Sequence, residues 1–494
     1  MNKFYITTSI AYVNAPPHLG YALELLLTDV LARYQRSLGN DVYFLTGTDE
    51  HGTKIERTAK EKNIDIKEFT NSMSKEFQKL AEDLNISNDD FIRTSDQKRH
   101  WPTAVKIWNQ ILEKGDLYKK KYKGFYCVGH EAFLKKNDLV NGFCPLHQTA
   151  PEEIEEENWF LKISKYKDQI KNKIINDELK IVPESRKNEI LNLLDDAEDV
   201  SVSRPIKSLK WGIPVPNDPD QTMYVWIDAL TNYISALGYA ENEEKFQKFW
   251  PADIHLIGKD IIRFHAIIWP AILLSVELPL PKSIYIHGFI NVDGQKMSKT
   301  IGNIIDPFLL IKKYGVDPVR YFLLREFSSY EDGDFSYEKL EARYNGDLAN
   351  NLGNLVSRVA KLIETKMDGE LIFNPKFQDR SVITKIEETQ KKYHESITQF
   401  KLHEALTYVW QLFDFANGYL DEKKPWAQID PEHLLNTLTN VADIIRSGTK
   451  LIEPFLPETA AKIYQRFGFT TNTTMLEGYT IRVIKSESLF PRLK

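Results

Sequence analysis

The chain has 494 residues, enough for two to four domains, and an ordinary globular balance of 42% hydrophobic and 27% charged residues. Its longest apolar stretch, AIIWPAILLSV at 266–276, is too short to span a bilayer, and the opening residues hold no apolar run of signal length, so no membrane partner is expected. Two cysteines exclude a disulfide framework and point to a reducing cytoplasm, and a net charge of −6 argues against a globally basic nucleic-acid binder while leaving room for a local basic patch.

KFYITTSI (3–10) alternates and is rich in Ile, Tyr and Thr, which predicts a strand. A helical pattern follows from His18 to Leu38, with Leu19, Leu23, Leu27, Leu31 and Tyr34 on one face and Gly39 at its end. DVYFLTG (41–47) predicts a second, buried strand. Strand, helix and strand at this length form a βαβ unit, so a parallel doubly wound sheet is expected. In such a sheet the first helix opens on the ligand crevice, where free N–H groups and the helix dipole gather anions. Within APPHLGYALE (15–24), His18 adds a donor there, Gly20 lets a flat base lie against the backbone, and Pro16 and Pro17 stiffen the entry. Alone, the stretch reads more simply as a stiffened helix start with an incidental histidine. Asp49, just past the second strand, can hold a substrate ammonium; GTDEHG also has the make-up of a plain turn.

After a further helix pair, 115–220 changes character and reads as an insert, with the basic run YKKKYKG (118–124) and the acidic run PEEIEEE (151–157). Cys127-x2-His130 and Cys144-x2-His147 suit tetrahedral zinc, ahead of the alternative of two reduced thiols and two surface histidines of a decayed site. The sheet pattern resumes at 223–230, 253–260 and 283–292. Trp226, Ala229 and Tyr233 fall at helical spacing, and His265 and Trp269 are four apart after a turn at Gly258. Aromatic stripes of this kind ordinarily form core. DGQKMSKTIGN (293–303) places Lys296 and Lys299 in a loop after a strand, with Gly294 and Gly302 giving freedom and Asp306–Pro307 opening the next helix. Two mobile ammonium groups can follow charge building on a phosphate; a solvated charged loop has the same composition. From about 346 strand signals fade into amphipathic helices, with KKPW late among them.

HLGY at 18–21 together with KMSKT at 296–300 resembles the two signatures of class I aminoacyl-tRNA synthetases. The flanking words YITTSIAYVNAPPHLGY, FLTGTDEHG, YVWIDAL, IGKDIIRFHAIIWPAIL and KPW resemble the methionyl-tRNA synthetase family, over essentially the whole chain. The resemblance implies a Rossmann-like α/β fold, a doubly wound parallel sheet with an inserted connective domain and a C-terminal α-helical bundle. Its expected parts are 1–114 and 221–282 for the catalytic halves, 115–220 for the insert, 283–345 for the lysine loop and stem-contact region, and 346–494 for an anticodon-binding bundle. It implies activation of L-methionine with Mg2+ and ATP to methionyl-adenylate, then transfer to tRNA(Met), initiator and elongator. His18, Lys296 and Lys299 are assigned to catalysis, and Gly20, Tyr21, Glu24, Gly258, Asp260 and Met297 join them around ATP. Ile10, Tyr12, Asp49, Trp226, Ala229, Tyr233, His265 and Trp269 are assigned to methionine. Polarizable sulfur gains about 0.3–1.5 kcal/mol per aromatic edge, and a Tyr12 hydroxyl or His265 N–H can donate to it. Asn354, Arg358 and Trp426 are assigned to the CAU anticodon, and Cys127, His130, Cys144 and His147 to a structural zinc ion.

Four positions depart from the family pattern. Tyr21 replaces a second histidine, Thr300 a serine, and His130 a common cysteine, while Leu230 stands where some relatives have proline. Nucleotide binding is expected to survive with altered phosphate contacts. The chain ends at Lys494 without a further OB-fold, so a monomer is expected. Three rivals share parts of this pattern. A leucine, isoleucine or valine enzyme needs a longer editing insert than 115–220. A small-molecule nucleotidyltransferase needs no bundle bearing Arg358 and Trp426. A non-catalytic RNA-binding descendant needs neither lysine nor His18.

Overall fold

The structure, a computed structural model, describes residues 2–127, 132–134, 139–145, 148–297, 302–470 and 477–493. It divides into two compact units, Met1–His287 and Gly288–Lys494.

The first unit is built on a parallel sheet of seven strands among the described residues. Ala11–Tyr12, Asp41–Asp49, Lys3–Thr8, Ile254–Gly258, Ser283–His287 and Lys180–Val182 follow one another, and Asp90–Arg93 also pairs with Asp41–Asp49. Ile6 lies opposite Ile254 on one side and Phe44 on the other. Central strands of such a sheet are covered on both faces, so their sequences are nearly continuously apolar. The first helix, Leu19–Ser37, ends at Gly39, whose φ of +81° suits a residue without a Cβ. It is buried on almost every side, so its polar residues need internal partners. Thr28 donates to the Glu24 carbonyl at 2.8 Å, and Asp29 accepts from Arg33 and from Ser87 N–H, both at 2.8 Å.

In the stretch expected as an insert, Leu117–Cys127 pairs antiparallel with Glu152–Leu161. The register sets Lys121 opposite Glu157 and Lys123 opposite Glu155, so the basic and acidic runs neutralise one another across the ladder. From the same stretch, Lys180–Val182 pairs in parallel with Ser283–Tyr285 and closes an edge of the main sheet. Two strand expectations need correction. The run 223–230 is strand only through Met223 and helix over Val225–Leu230, because packing overrides the β-propensity of its Val, Trp and Ile. The run 283–292 breaks at Gly288, where a Cβ would sit 2.2 Å from the Glu331 backbone. Ser283–His287 stays in the main sheet, and Ile290–Val292 joins a small sheet of the second unit.

In that second unit, Ile290–Val292 and Gln295–Lys296 form a hairpin across Asp293 and Gly294, both at positive φ. Asp306 accepts from Phe308 N–H at 2.8 Å and caps the helix that Pro307 opens. Long helices follow, among them Asn354–Lys366, Leu402–Lys423 and Pro431–Ile452. Arg320 is fully buried and donates to the Phe455 and Pro454 carbonyls at 2.7 and 3.1 Å, closing the turn after the last of these. One short strand pair, Glu370–Ile372 with Thr480–Arg482, had no signal in the sequence. No helix among the described residues is long and apolar enough to cross a membrane.

Candidate functional site

Lys3–Thr8 has Asp41–Asp49 on one side and Ile254–Gly258 on the other, so the strand order reverses there. A crevice opens outside the carboxyl ends of strands at such a switch point. His18 stands at its helix N-terminus in extended conformation, and its Nδ1 accepts the Gly20 N–H at 3.1 Å. A neutral imidazole that accepts at Nδ1 carries its proton on Nε2. The histidine therefore caps the helix with one nitrogen and carries its proton on the other.

Glu24, one turn on, is buried. It accepts from Ser9 N–H at 2.7 Å and Ser9 Oγ at 2.6 Å, and its second oxygen is 3.0 Å from His287 Nε2. Neither Ser9 nor His287 stood out in the sequence; each merely follows or ends a strand. Tyr21 turns inward, with its hydroxyl 3.0 Å from Thr46 and its ring edge-on to Phe77 at 5.1 Å. Burial raises its pKa and keeps the phenol neutral. At Gly258 a Cβ would lie 2.9 Å from the Asp260 carboxylate, an exposed side chain that can swing aside.

Residues assigned to methionine fall into two packed aromatic groups. Ile10 and Trp226 pack on a buried cluster of Tyr126, Leu209, Tyr224 and Ala229. Trp226 stacks on Phe264, with centroids 3.3 Å apart and planes within 10°. A second wall combines Tyr233, His255, His265 and Trp269. His265 sits in a π-turn, Phe264–Ile268, of a kind frequent at functional sites. Its Nδ1 donates to the Ile261 carbonyl at 3.0 Å, so its Nε2 accepts the Tyr233 hydroxyl at 2.7 Å. The expected N–H from His265 to sulfur is therefore already committed elsewhere. Burial pushes the His265 pKa down to about 4, against the pull of the Ile261 carbonyl and Asp260. The His255 pKa is also lowered, first by burial and then by His265; His255 bridges Thr7 at 2.8 Å and the Trp269 N–H at 3.3 Å. Asp49 is buried, and its backbone pairs with Tyr12. The next residue, Glu50, is turned away to Arg93, at 2.7 and 2.8 Å.

Two histidines buried in neutral form carry a stability signature. In the unfolded chain each takes up a proton near 6.5, whereas in the fold both resist it. Stability is therefore complete above that value and falls as pH drops from 6.5 towards 4. Thermal melts across this window are expected to show the fall, and His265→Asn to make it shallower. Parallel pH dependences in the two proteins would contradict this account.

Cys127 and Cys144 are buried at 1% and 0% exposure, and His130 and His147 lie outside the described residues. No group of three or more His, Cys, Asp or Glu side chains suited to a metal occurs among the described residues. In the second unit Lys296 ends the hairpin and Met297 is half-buried, while Lys299 and Thr300 lie outside the described residues. Asn354 is exposed on its helix. One turn along, the Arg358 guanidinium lies 5.1 Å over the Trp426 ring and 2.8 Å from Asp421. Trp426 is 44% exposed rather than core. Lys424, in left-handed conformation, turns the chain so that Pro425–Ala427 bring the indole back over that helix.

A family model described as tRNA synthetases class I (M) matches residues 4–153 and 134–360, and one described as the anticodon-binding domain of tRNA ligase matches 379–490. The methionine–tRNA ligase of Thermotoga maritima is 41% identical, with 99% of this chain and 80% of that one covered. That of Bacillus subtilis is 40% identical, with 100% and 78% covered. A solved structure of Mycobacterium tuberculosis methionyl-tRNA synthetase in complex with methionyl-adenylate covers 100% of both chains, with a TM-score of 0.95 at 37% identity.

Proposed function

The chain belongs to the class I tRNA synthetases of the methionine type, and from that premise we infer how its residues carry the reaction. It activates L-methionine with ATP to methionyl-adenylate and passes the methionyl group to tRNA(Met) for protein synthesis. What supports the assignment of residues is one juxtaposition. A capping histidine, a buried carboxylate at Asp49 and an uncharged aromatic cluster at Tyr233 and His265 stand on segments that follow or end strands of one sheet.

The methionine carboxylate is already ionised, so its attack on the α-phosphorus needs no general base. The protein contributes position and charge stabilisation. Asp49 holds the ammonium, and the rings around Ala229 and Tyr233 take the thioether. His18 donates to phosphate oxygen as charge builds there. With Tyr21 committed to Thr46, that donor stands without the second histidine of the family signature. Lys296 and Lys299 keep the role the resemblance assigns them at the phosphates, and Mg2+ arrives as the ATP chelate. ATP–pyrophosphate exchange is the test: exchange that depends on methionine and ignores leucine is expected, and the reverse would end this reading.

Asn354, Arg358 and Trp426 form the anticodon face, with Trp426 offering a half-open ring to a splayed base. Stacking one base on an aromatic ring contributes about 1–3 kcal/mol, so Trp426→Ala is expected to raise KM for tRNA roughly 10-fold or more. Pyrophosphate exchange should stay unchanged, and equal loss of both activities would rule the role out. Initiator and elongator tRNA(Met) share this face in the proposal, and the working form is a cytoplasmic monomer, checked by sedimentation.

Zinc belongs to the same proposal. Two thiols buried in the insert are soft ligands suited to it, and His130 and His147 would complete a tetrahedral set. Metal analysis of chelator-free protein should find one zinc per chain, and its absence would leave a decayed site.

A further inference from the structure

We propose that Asp228, gripped by His51 and His100, is a positioning residue that sets the length of amino acid the pocket accepts. The inference rests on the methionine reading above. Asp228 lies on the helix Val225–Leu230 between Trp226 and Ala229 and is fully buried. One carboxylate oxygen is 2.6 Å from His51 Nδ1 and the other 2.7 Å from His100 Nε2. Burial opposes its charge, but the two imidazoles outweigh burial and hold its pKa at about 2.

Each histidine ties Asp228 to a different element. His51 follows Asp49 by two residues, just past the strand Asp41–Asp49. It is 1% exposed, edge-on to Trp101 and Trp211, and its Nε2 has no hydrogen-bond partner. His100 precedes the helix Trp101–Glu113, and its Nδ1 is 2.8 Å from Ser235 Oγ, close along the chain to Tyr233. One ionised group therefore joins the segment that carries the ammonium-binding Asp49 to the helices that carry Ala229 and Tyr233.

An amino acid held at its ammonium and at its thioether is measured between those two elements. Charge-assisted hydrogen bonds have a preferred length and angle, which apolar packing lacks. Apolar residues would fill the same volume without the desolvation cost of a buried charge, and buried ionic groups of this kind are best attested as registry devices. A shift of about 1 Å in such a register costs on the order of 10²-fold in rate.

The test is pyrophosphate exchange with methionine, S-methylcysteine (one methylene shorter) and ethionine (one methylene longer). In Asp228→Asn, KM for methionine is expected to rise about 10–100-fold, with KM for ATP unchanged. The preference for methionine over both analogues should shrink roughly 10-fold. His100→Gln, which touches neither Asp49 nor the aromatic wall, should shift both quantities the same way and serves should the first variant fold poorly. Unchanged preference in the folded variant, or KM for ATP rising in step with that for methionine, would overturn the proposal. A wild-type chain that failed to exchange with methionine would instead overturn the substrate reading.

Discussion

Replacing His18 by Ala is expected to lower kcat of methionine-dependent pyrophosphate exchange about 10²–10³-fold, the usual cost of removing one donor aimed at developing charge. KM for methionine should hardly move, because His18 stands at the helix start and not in the aromatic pocket. The substitution removes two things at once. Nδ1 caps the helix by accepting the Gly20 N–H, and Nε2 carries the donor. Loss of a cap costs about 1 kcal/mol of stability. His18→Asn separates the two, since asparagine is a good cap and lacks a donor at the reach of Nε2. The Ala variant should melt earlier than wild type and the Asn variant close to it, while both stay slow. An Asn variant with near-normal kcat would show that the cap is all this residue supplies.

Asp49→Asn should raise KM for methionine on the order of 10²-fold, since leaving one partner of a buried charge pair unmatched costs about 2–5 kcal/mol. The size of the effect depends on whether a neighbouring carboxylate can take over. Two are close along the chain or packed nearby, and neither is free. Glu50 is fully buried on Arg93, and Asp228 is divided between His51 and His100. KM for ATP should be unaffected, because Glu24, Gly258 and Asp260 lie on other elements. A KM for methionine within a few-fold of wild type would remove Asp49 from the ammonium site.

Much of this was legible in the chain. The βαβ opening, the first helix ending at Gly39 and the Asp306–Pro307 helix start each depend on neighbours in sequence, and each is present. The methionine-type signatures named the reaction that the relatives carry out. The run 223–230 misled because strand and helix share its apolar residues. Its burial on the Tyr126 and Tyr224 cluster decided between them.

By itself, then, the sequence determined the fold class and, through its motif words, the reaction, because periodicity, caps and motif words are local properties of the chain. Only the tertiary structure decided which way each donor points. His265 proved to be an acceptor for Tyr233, and Tyr21 turned inward to Thr46. Glu24 was bound to Ser9 and His287, and Asp228 to two histidines brought from 177 and 128 residues away. The physical reason is that burial makes an unpaired polar group costly, and which partner lies within reach depends on how distant segments pack.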